Sequence, residues 1–272
     1  MTPLSVLGFS FVSLLGCDAG PVSETPGEHD RGGRSPSVAV ERATEAAPSG
    51  PLRVHEVGDG DGRVMVLLHG FGASGDDLVD LARSLRGTGA ARFLLPEAPI
   101  ELSQQGRAWW KLDRRKLMRA RVAGQPRDLS QTRPEGLVEA RRAVLEMLEA
   151  AERRLGVPVS QMMLGGFSQG AMLALDVALH APEPPAGVAV LSGAPVAMSE
   201  WEPRLARLRG VPVLISHGRG DRLLSFQAAE RLSGQLEEAG ARVTFMPFDG
   251  GHTIPGPVRG RLADWMDRPV ED

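Results

Sequence analysis

The pentapeptide Gly166-Phe167-Ser168-Gln169-Gly170 lies between the apolar run Val159-Ser160-Gln161-Met162-Met163-Leu164 and the stretch Ala171-Met172-Leu173-Ala174-Leu175-Asp176-Val177-Ala178-Leu179. The first run reads as a buried strand and the second as a helix, so the chain reverses around Ser168 with almost no loop. So short a reversal forces the serine into a strained backbone conformation. It is sterically tolerable only where the positions two residues away carry no side chain, and both are glycine. Ser168 is therefore a candidate nucleophile.

Outward from this turn the pattern is that of a parallel sheet. Leu52 to Val57 alternates like a half-buried strand, and Val64 to Leu68 is a continuous apolar run of the kind found in a central parallel strand. A helix is expected from Asp76 to Leu85 with Leu78, Leu81 and Leu85 on one face, then a strand at Arg92 to Leu95. A long helix should run from Pro134 to Leu155, ended by Gly156 and Pro158. Beyond Ser168 come strands at Val188 to Leu191, Val211 to Ser216 and Arg242 to Phe248, with helices at Phe226 to Ala239 and around Val258 to Met266. Strands alternating with helices predict an α/β domain, a mostly parallel sheet covered on both faces. The segment from Leu102 to Arg133 breaks the rhythm, and its length and its adjacent Trp109 and Trp110 suggest a cover with a substrate-binding wall.

Composition bounds the rest. The 272 residues suit one catalytic domain over 51–272, and a net charge of -3 with no dense Lys/Arg block gives no footprint for nucleic acid. The lone cysteine, Cys17, follows the apolar stretch Val6 to Leu15, and Leu14-Leu15-Gly16-Cys17 resembles the lipobox of bacterial lipoproteins. Residues 1–17 are thus expected to be a signal peptide with Cys17 as the lipidated residue and membrane attachment point, although no Lys or Arg precedes the apolar stretch. Residues 18–50 are rich in Pro, Gly, Ser, Glu and Arg without apolar periodicity and read as a tether. That arrangement would place the protein at the bacterial cell envelope; without it the protein would be secreted or cytoplasmic.

A serine hydroxyl needs a base to take its proton and an acid to orient the base. On a strand-turn-helix nucleophile the chain order is nucleophile, acid, histidine. His252, in the loop after the last strand, fits the base. His29, His55, His180 and His217 occupy the tether, the first strand, the end of the helix after Ser168 and the end of a strand. Asp221, just after the strand ending near Ser216, is the expected acid, with Asp249 as the fallback because it sits too near His252 in sequence. The oxyanion would be held by the backbone N–H groups of Gln169 and of Phe71, the latter in His69-Gly70-Phe71-Gly72. His69 precedes the serine and is expected to brace that loop.

These residues resemble the phospholipase/carboxylesterase family of small serine hydrolases that includes the acyl-protein thioesterases. The resemblance rests on Leu67-Leu68-His69-Gly70-Phe71-Gly72 with Asp76-Asp77, on Ala108-Trp109-Trp110, on Gly165-Gly166-Phe167-Ser168-Gln169-Gly170, and on His217-Gly218-Arg219-Gly220-Asp221 with Gly251-His252. It implies an α/β-hydrolase fold, no cofactor or metal, and a small ester or acyl-lipid substrate cleaved through an acyl-enzyme. Thioesters, lysophospholipids and peptides use the same chemistry, and a catalytically silent, surface-anchored binding protein is the rival from another class. Ala171 replaces a glycine common in the family. The Lys111-Leu112-Asp113 stretch is similar to longer bacterial members rather than compact thioesterases.

Overall fold

A computed structural model describes residues 44–267, apart from residue 61, residues 86–90, residues 103–105 and most of 114–121. Cys17, the expected signal peptide and nearly all of the expected tether lie outside the described residues.

The sheet contains β1 (Thr44–Ser49), β2 (Leu52–Val57), β3 (Val64–Leu68), β4 (Arg92–Pro96), β7 (Met163–Phe167), β8 (Gly187–Leu191), β9 (Pro212–Gly218) and β10 (Arg242–Phe248). Their order across the sheet is β1-β2-β4-β3-β7-β8-β9-β10. The β1–β2 and β2–β4 pairs are antiparallel, and every pair from β4 to β10 is parallel. A small hairpin, β5 (Ile100–Glu101) with β6 (Arg107–Ala108), stands apart. Because β3 lies between β4 and β7, successive connections leave it in opposite directions. The crevice this opens beyond the carboxyl ends of β3 and β7 is where open parallel sheets gather ligands.

Alternation along the strands sorts the core onto two faces. Val64, Val66 and Leu68 of β3 join Leu164, Val188, Val190, Val213 and Ile215 beneath α2 (Leu137–Leu155), α3 (Gln169–His180), the short α4 (Met198–Trp201) and α5 (Phe226–Glu238). Met65 and Leu67 turn to the other face with Phe93, Leu95, Met163 and Leu214, beneath α1 (Val79–Leu85) and α6 (Gly256–Asp267). Helix α3 is buried along nearly its whole length, which is why its sequence is apolar on every side.

Several boundaries differ from the sequence reading; the long helix expected from Pro134 begins at Leu137, because Gly136 before it is left-handed (φ 91°). The strand expected at Val159 to Leu164 begins only at Met163 and runs on through Gly165 and Gly166 to Phe167. Residues Val159–Gln161 form a 3-10 turn, and Met162 is buried in the core from this turn. Glycine disfavours strands, but the strand here needs it, since a Cβ at Gly165 would stand 2.9 Å from the Ala189 Cβ. The sheet also starts inside the stretch expected to be tether: Thr44–Ser49 pairs with β2, Ala47 opposite Val54 and Ser49 opposite Leu52. An edge strand held by main-chain pairing needs no apolar alternation and tolerates Pro48, so composition gave no sign of it. The helix expected from Asp76 opens with a 3-10 turn, Asp76–Leu78, before α1.

Candidate active site

Ser168 joins β7 directly to α3 with φ 55° and ψ −116°, a left-handed conformation uncommon outside glycine. Its N–H donates to the Leu191 carbonyl (2.9 Å), and its own carbonyl accepts from Ala171 (3.1 Å) and Met172 (3.2 Å). The flanking glycines are sterically required. A Cβ on Gly166 would stand 2.5 Å from the Gly170 carbonyl carbon, and one on Gly170 would overlap the Leu68 carbonyl oxygen. The reversal therefore packs against the end of β3, and the serine side chain is lifted out of the sheet by backbone sterics.

His252, in the loop after β10, lies between the serine and Asp221. Its Nε2 is 2.8 Å from Ser168 Oγ and its Nδ1 is 2.7 Å from Asp221 Oδ2. The carboxylate accepts at Nδ1, so that nitrogen carries the hydrogen and Nε2 is left to accept from the hydroxyl. The ring rests against Phe167, centroids 4.9 Å apart. Asp221 is 4 % exposed, and its Oδ1 accepts the Leu223 (2.8 Å) and Leu224 (3.1 Å) N–H groups. Burial opposes its charge. Hydrogen bonds from His217, His252 and the Leu223 N–H outweigh that and hold the carboxyl well below the usual carboxylate range. Asp249, the fallback acid, has a fully exposed side chain beside Arg219.

The loop after β3 is braced as the sequence suggests, and in more detail. Ala98 N–H donates to His69 Nε2 (3.0 Å), so the other nitrogen, Nδ1, is the donor to the Gly70 carbonyl (2.8 Å). Burial pushes the His69 pKa down to about 4, and the ring is a neutral strut. The turn at Phe71 and Gly72 is tied to the hairpin: Gly72 N–H donates to Arg107 O (2.8 Å) and Arg107 N–H to Ala73 O (2.7 Å). Gln169, first residue of α3, has a main-chain N–H with no acceptor inside the helix. Its side chain is a two-point clamp, accepting from Trp109 N–H (3.0 Å) and donating to Trp110 O (2.9 Å).

Trp109 and Trp110 were expected to wall the substrate site. Each is only 1 % exposed, and Trp109 Nε1 donates to the His69 carbonyl (2.9 Å). They are recorded as framework behind the Phe71 turn, because an adjacent pair of indoles supplies enough apolar surface to anchor an otherwise irregular segment. Among the described residues of that segment, Arg127 runs beside the loop that carries Asp221. Arg127 N–H donates to Leu223 O (3.1 Å) and Ser225 N–H to Arg127 O (3.0 Å), alongside the acid loop, while Ser130 and Thr132 carbonyls accept from Met198 and Ala197 (2.9 Å each).

Two residues near the triad were not singled out from sequence. His217 Nε2 stands 3.3 Å from Asp221 Oδ2, and Ser192, buried with φ 47°, donates its hydroxyl to the Thr253 carbonyl (3.0 Å) next to His252. No local signal marks Ser192. His217 lies near the end of β9, four residues before the acid, and that spacing was its only clue. Of the other histidines, His55 pairs with Glu97 (3.0 Å) and His180 Nδ1 bonds the Asp176 carbonyl (2.8 Å), both away from Ser168.

The elbow, the imidazole and the buried acid on a parallel sheet define the class of α/β-hydrolases, and comparison with known proteins narrows it. The chain matches the Phospholipase/Carboxylesterase family over residues 51–264 and belongs to that family. It is 32% identical over 146 residues to a probable carboxylesterase of Oryza sativa subsp. japonica, spanning about half the length of each, 53%. It is 29% identical to acyl-protein thioesterase 1 of Eremothecium gossypii, covering 66% of this chain and 75% of that one. Among solved structures, esterase PE8 matches with a TM-score of 0.66 at 28% identity, covering 80% of this chain and 97% of that chain. The protein is thus a hydrolase of a family that includes carboxylesterases and thioesterases.

Proposed function

We propose that the protein is a serine carboxylester hydrolase acting through Ser168, His252 and Asp221. The observation that carries this reading is the pair of hydrogen bonds on His252, one to the serine hydroxyl and one to the buried carboxylate. Ser168 Oγ attacks the ester carbonyl while its proton passes to His252 Nε2, giving a tetrahedral oxyanion. The main-chain N–H groups of Gln169 and Phe71 hold that oxyanion, the largest single electrostatic contribution in such sites. The C–O bond to the leaving group then breaks as His252 returns the proton to the departing alcohol, leaving an acyl-enzyme. Water, deprotonated by the same imidazole, attacks the acyl carbon and releases the acid and Ser168. Asp221 keeps the tautomer and stabilises the imidazolium in both halves.

Hydrolysis of a short aryl ester tests the assignment: Ser168→Ala should lower kcat/KM by at least about 1,000-fold. A variant keeping more than about 1 % of the rate removes Ser168 as nucleophile. A well-folded wild-type protein that fails to react with a fluorophosphonate would instead indicate a silent binding protein. Rates on matched esters and thioesters of increasing chain length separate esterase from thioesterase action, since the triad serves both. For the N-terminus the proposal is an anchor at acylated Cys17, supported by the lipobox-like Leu14-Leu15-Gly16-Cys17. Mass spectrometry of the membrane fraction should find a chain starting at a lipid-bearing cysteine, and an intact Met1 there overturns it.

A further inference from the structure

Asp221 has one more donor than a triad needs. Its Oδ1 takes the Leu223 and Leu224 N–H groups, and its Oδ2 takes His252 Nδ1 at 2.7 Å. His217 Nε2 lies 3.3 Å from that same Oδ2 and 3.3 Å from the Leu224 carbonyl oxygen. Both neighbours are acceptors, so Nε2 carries the ring hydrogen. The opposite nitrogen, Nδ1, is buried with no hydrogen-bond partner, and the residue is 0 % exposed. A hydrogen on Nδ1 would be buried with nothing to receive it, so the geometry selects the Nε2–H tautomer. A buried aromatic of this shape could have been Phe; the nitrogen facing Oδ2 distinguishes His217 from filler.

We propose that His217 is a positioning residue for the catalytic acid: its Nε2–H fills the last acceptor site of the Asp221 carboxylate and so sets both the carboxylate's orientation and how strongly it holds His252. The idea rests on the triad reading above. A carboxylate has room for about four donors; Leu223, Leu224 and His252 supply three, and His217 Nε2, whose hydrogen is shared with the Leu224 carbonyl, stands at the fourth. Removing one concentrates charge on Oδ2, which tightens the bond to His252 and favours its protonated form. Proton return to the leaving group and proton uptake from Ser168 both depend on that balance, since efficiency follows the base strength of the imidazole. The other charged groups around the pair are fixed by geometry. Arg219 lies 5.0 Å over the Phe226 ring, against which His217 stands edge-on, and its nearest acid is Asp249 at 3.9 Å. Arg127 meets the 223–225 stretch through its backbone.

Wild type, His217→Phe and His217→Gln should be compared from pH 5 to 9 on a short aryl ester, with active sites counted by fluorophosphonate titration. Phe keeps the ring and deletes the donor, while Gln restores an N–H at the same reach. We expect His217→Phe to move the acid limb of kcat/KM upward by about half to one pH unit and to lower kcat about tenfold with KM within about twofold. His217→Gln should bring the limb back to within about 0.2 unit. A Phe profile that superimposes on wild type, or Phe and Gln profiles displaced equally, overturns the proposal. Nitrogen NMR of histidine-labelled wild type tests the same point without any variant: the His217 hydrogen should sit on Nε2, and the other tautomer overturns it. Failure of the catalytic reading looks different, because wild type would then label poorly and show no acid limb.

Discussion

Among the described residues, two buried aspartates face histidines, one on the elbow helix and one in the loop after β9, and only the second belongs to a chain of groups ending at a serine. Asp176, in the middle of α3, is 0 % exposed; its Oδ2 accepts from Arg141 Nε on α2 (2.7 Å) and its Oδ1 from the Trp201 indole (2.8 Å). His180, one turn later, spends its Nδ1–H on the Asp176 carbonyl, and burial lowers its pKa. Asp221 is nearly as buried but sits in a loop and receives imidazole and main-chain donors. A guanidinium never gives up its proton, so the first carboxylate is a tie between α2 and α3. An imidazole exchanges a proton near neutrality, so the second can steer a reaction. Burial of a carboxylate is shared; partner chemistry and position separate structure from catalysis.

Substitution at the two sites should therefore give opposite results. Asp221→Asn is the largest expected effect: kcat falls by about 1,000- to 10,000-fold because the amide favours the wrong His252 tautomer. The loss of stability should be smaller than at the other site, since no charge is left unpaired. Steady-state rates beside urea midpoints measure both, and a fall of less than about tenfold would erase the contrast. Asp176→Asn removes the nearer carboxylate partner of the part-buried Arg141 guanidinium, leaving Glu200 at 3.7 Å, and should cost about 3 kcal/mol of folding stability. The rate per folded molecule should stay within about threefold of wild type. Normal stability with a collapsed rate would mean that Asp176 acts on the elbow directly.

The smallest effect concerns His69 and sharpens how neutral histidines are used as struts. The native ring stays neutral down to about pH 4, against an ordinary value of 6.5. Between those limits the unfolded chain binds more protons than the folded one, so stability rises with pH and is lost on acidification through that window, by roughly 3 kcal/mol. His69→Asn should flatten the dependence of unfolding free energy on pH between about 6.5 and 4. An unchanged slope would show that the strut is elsewhere.

What could be read in advance follows the range of the forces involved. The elbow was legible because its constraint is local: Gly166 and Gly170 flank Ser168 within five residues, and steric exclusion at that distance is written in adjacent letters. The parallel strands were legible because both faces of the sheet are covered and continuous apolar runs result. The end of β7 was misplaced because the same glycines that the elbow needs depress strand propensity, and its start because the apolar residues around the 3-10 turn Val159–Gln161 read as strand. Strand β1 was unreadable because an edge strand held by main-chain bonds demands little of its side chains. The indoles of Trp109 and Trp110 could be identified as important without revealing whether they face substrate or the His69 loop.

The sequence by itself determined which groups the proposed chemistry would use: a serine on a glycine-flanked reversal, one histidine and one aspartate in suitable loops, and two glycine-rich stretches able to donate N–H groups. Tertiary structure decided what those groups share. His252 reaches Ser168 across 84 residues and Asp221 across 31, and such closures are set only when the whole sheet packs. The same packing gave Asp221 a second imidazole in His217, gave Gln169 its clamp on Trp109 and Trp110, and sent Asp176 to an arginine. Local letters fix which conformations a residue can adopt, whereas the partner of a buried polar group depends on every element that folds over it.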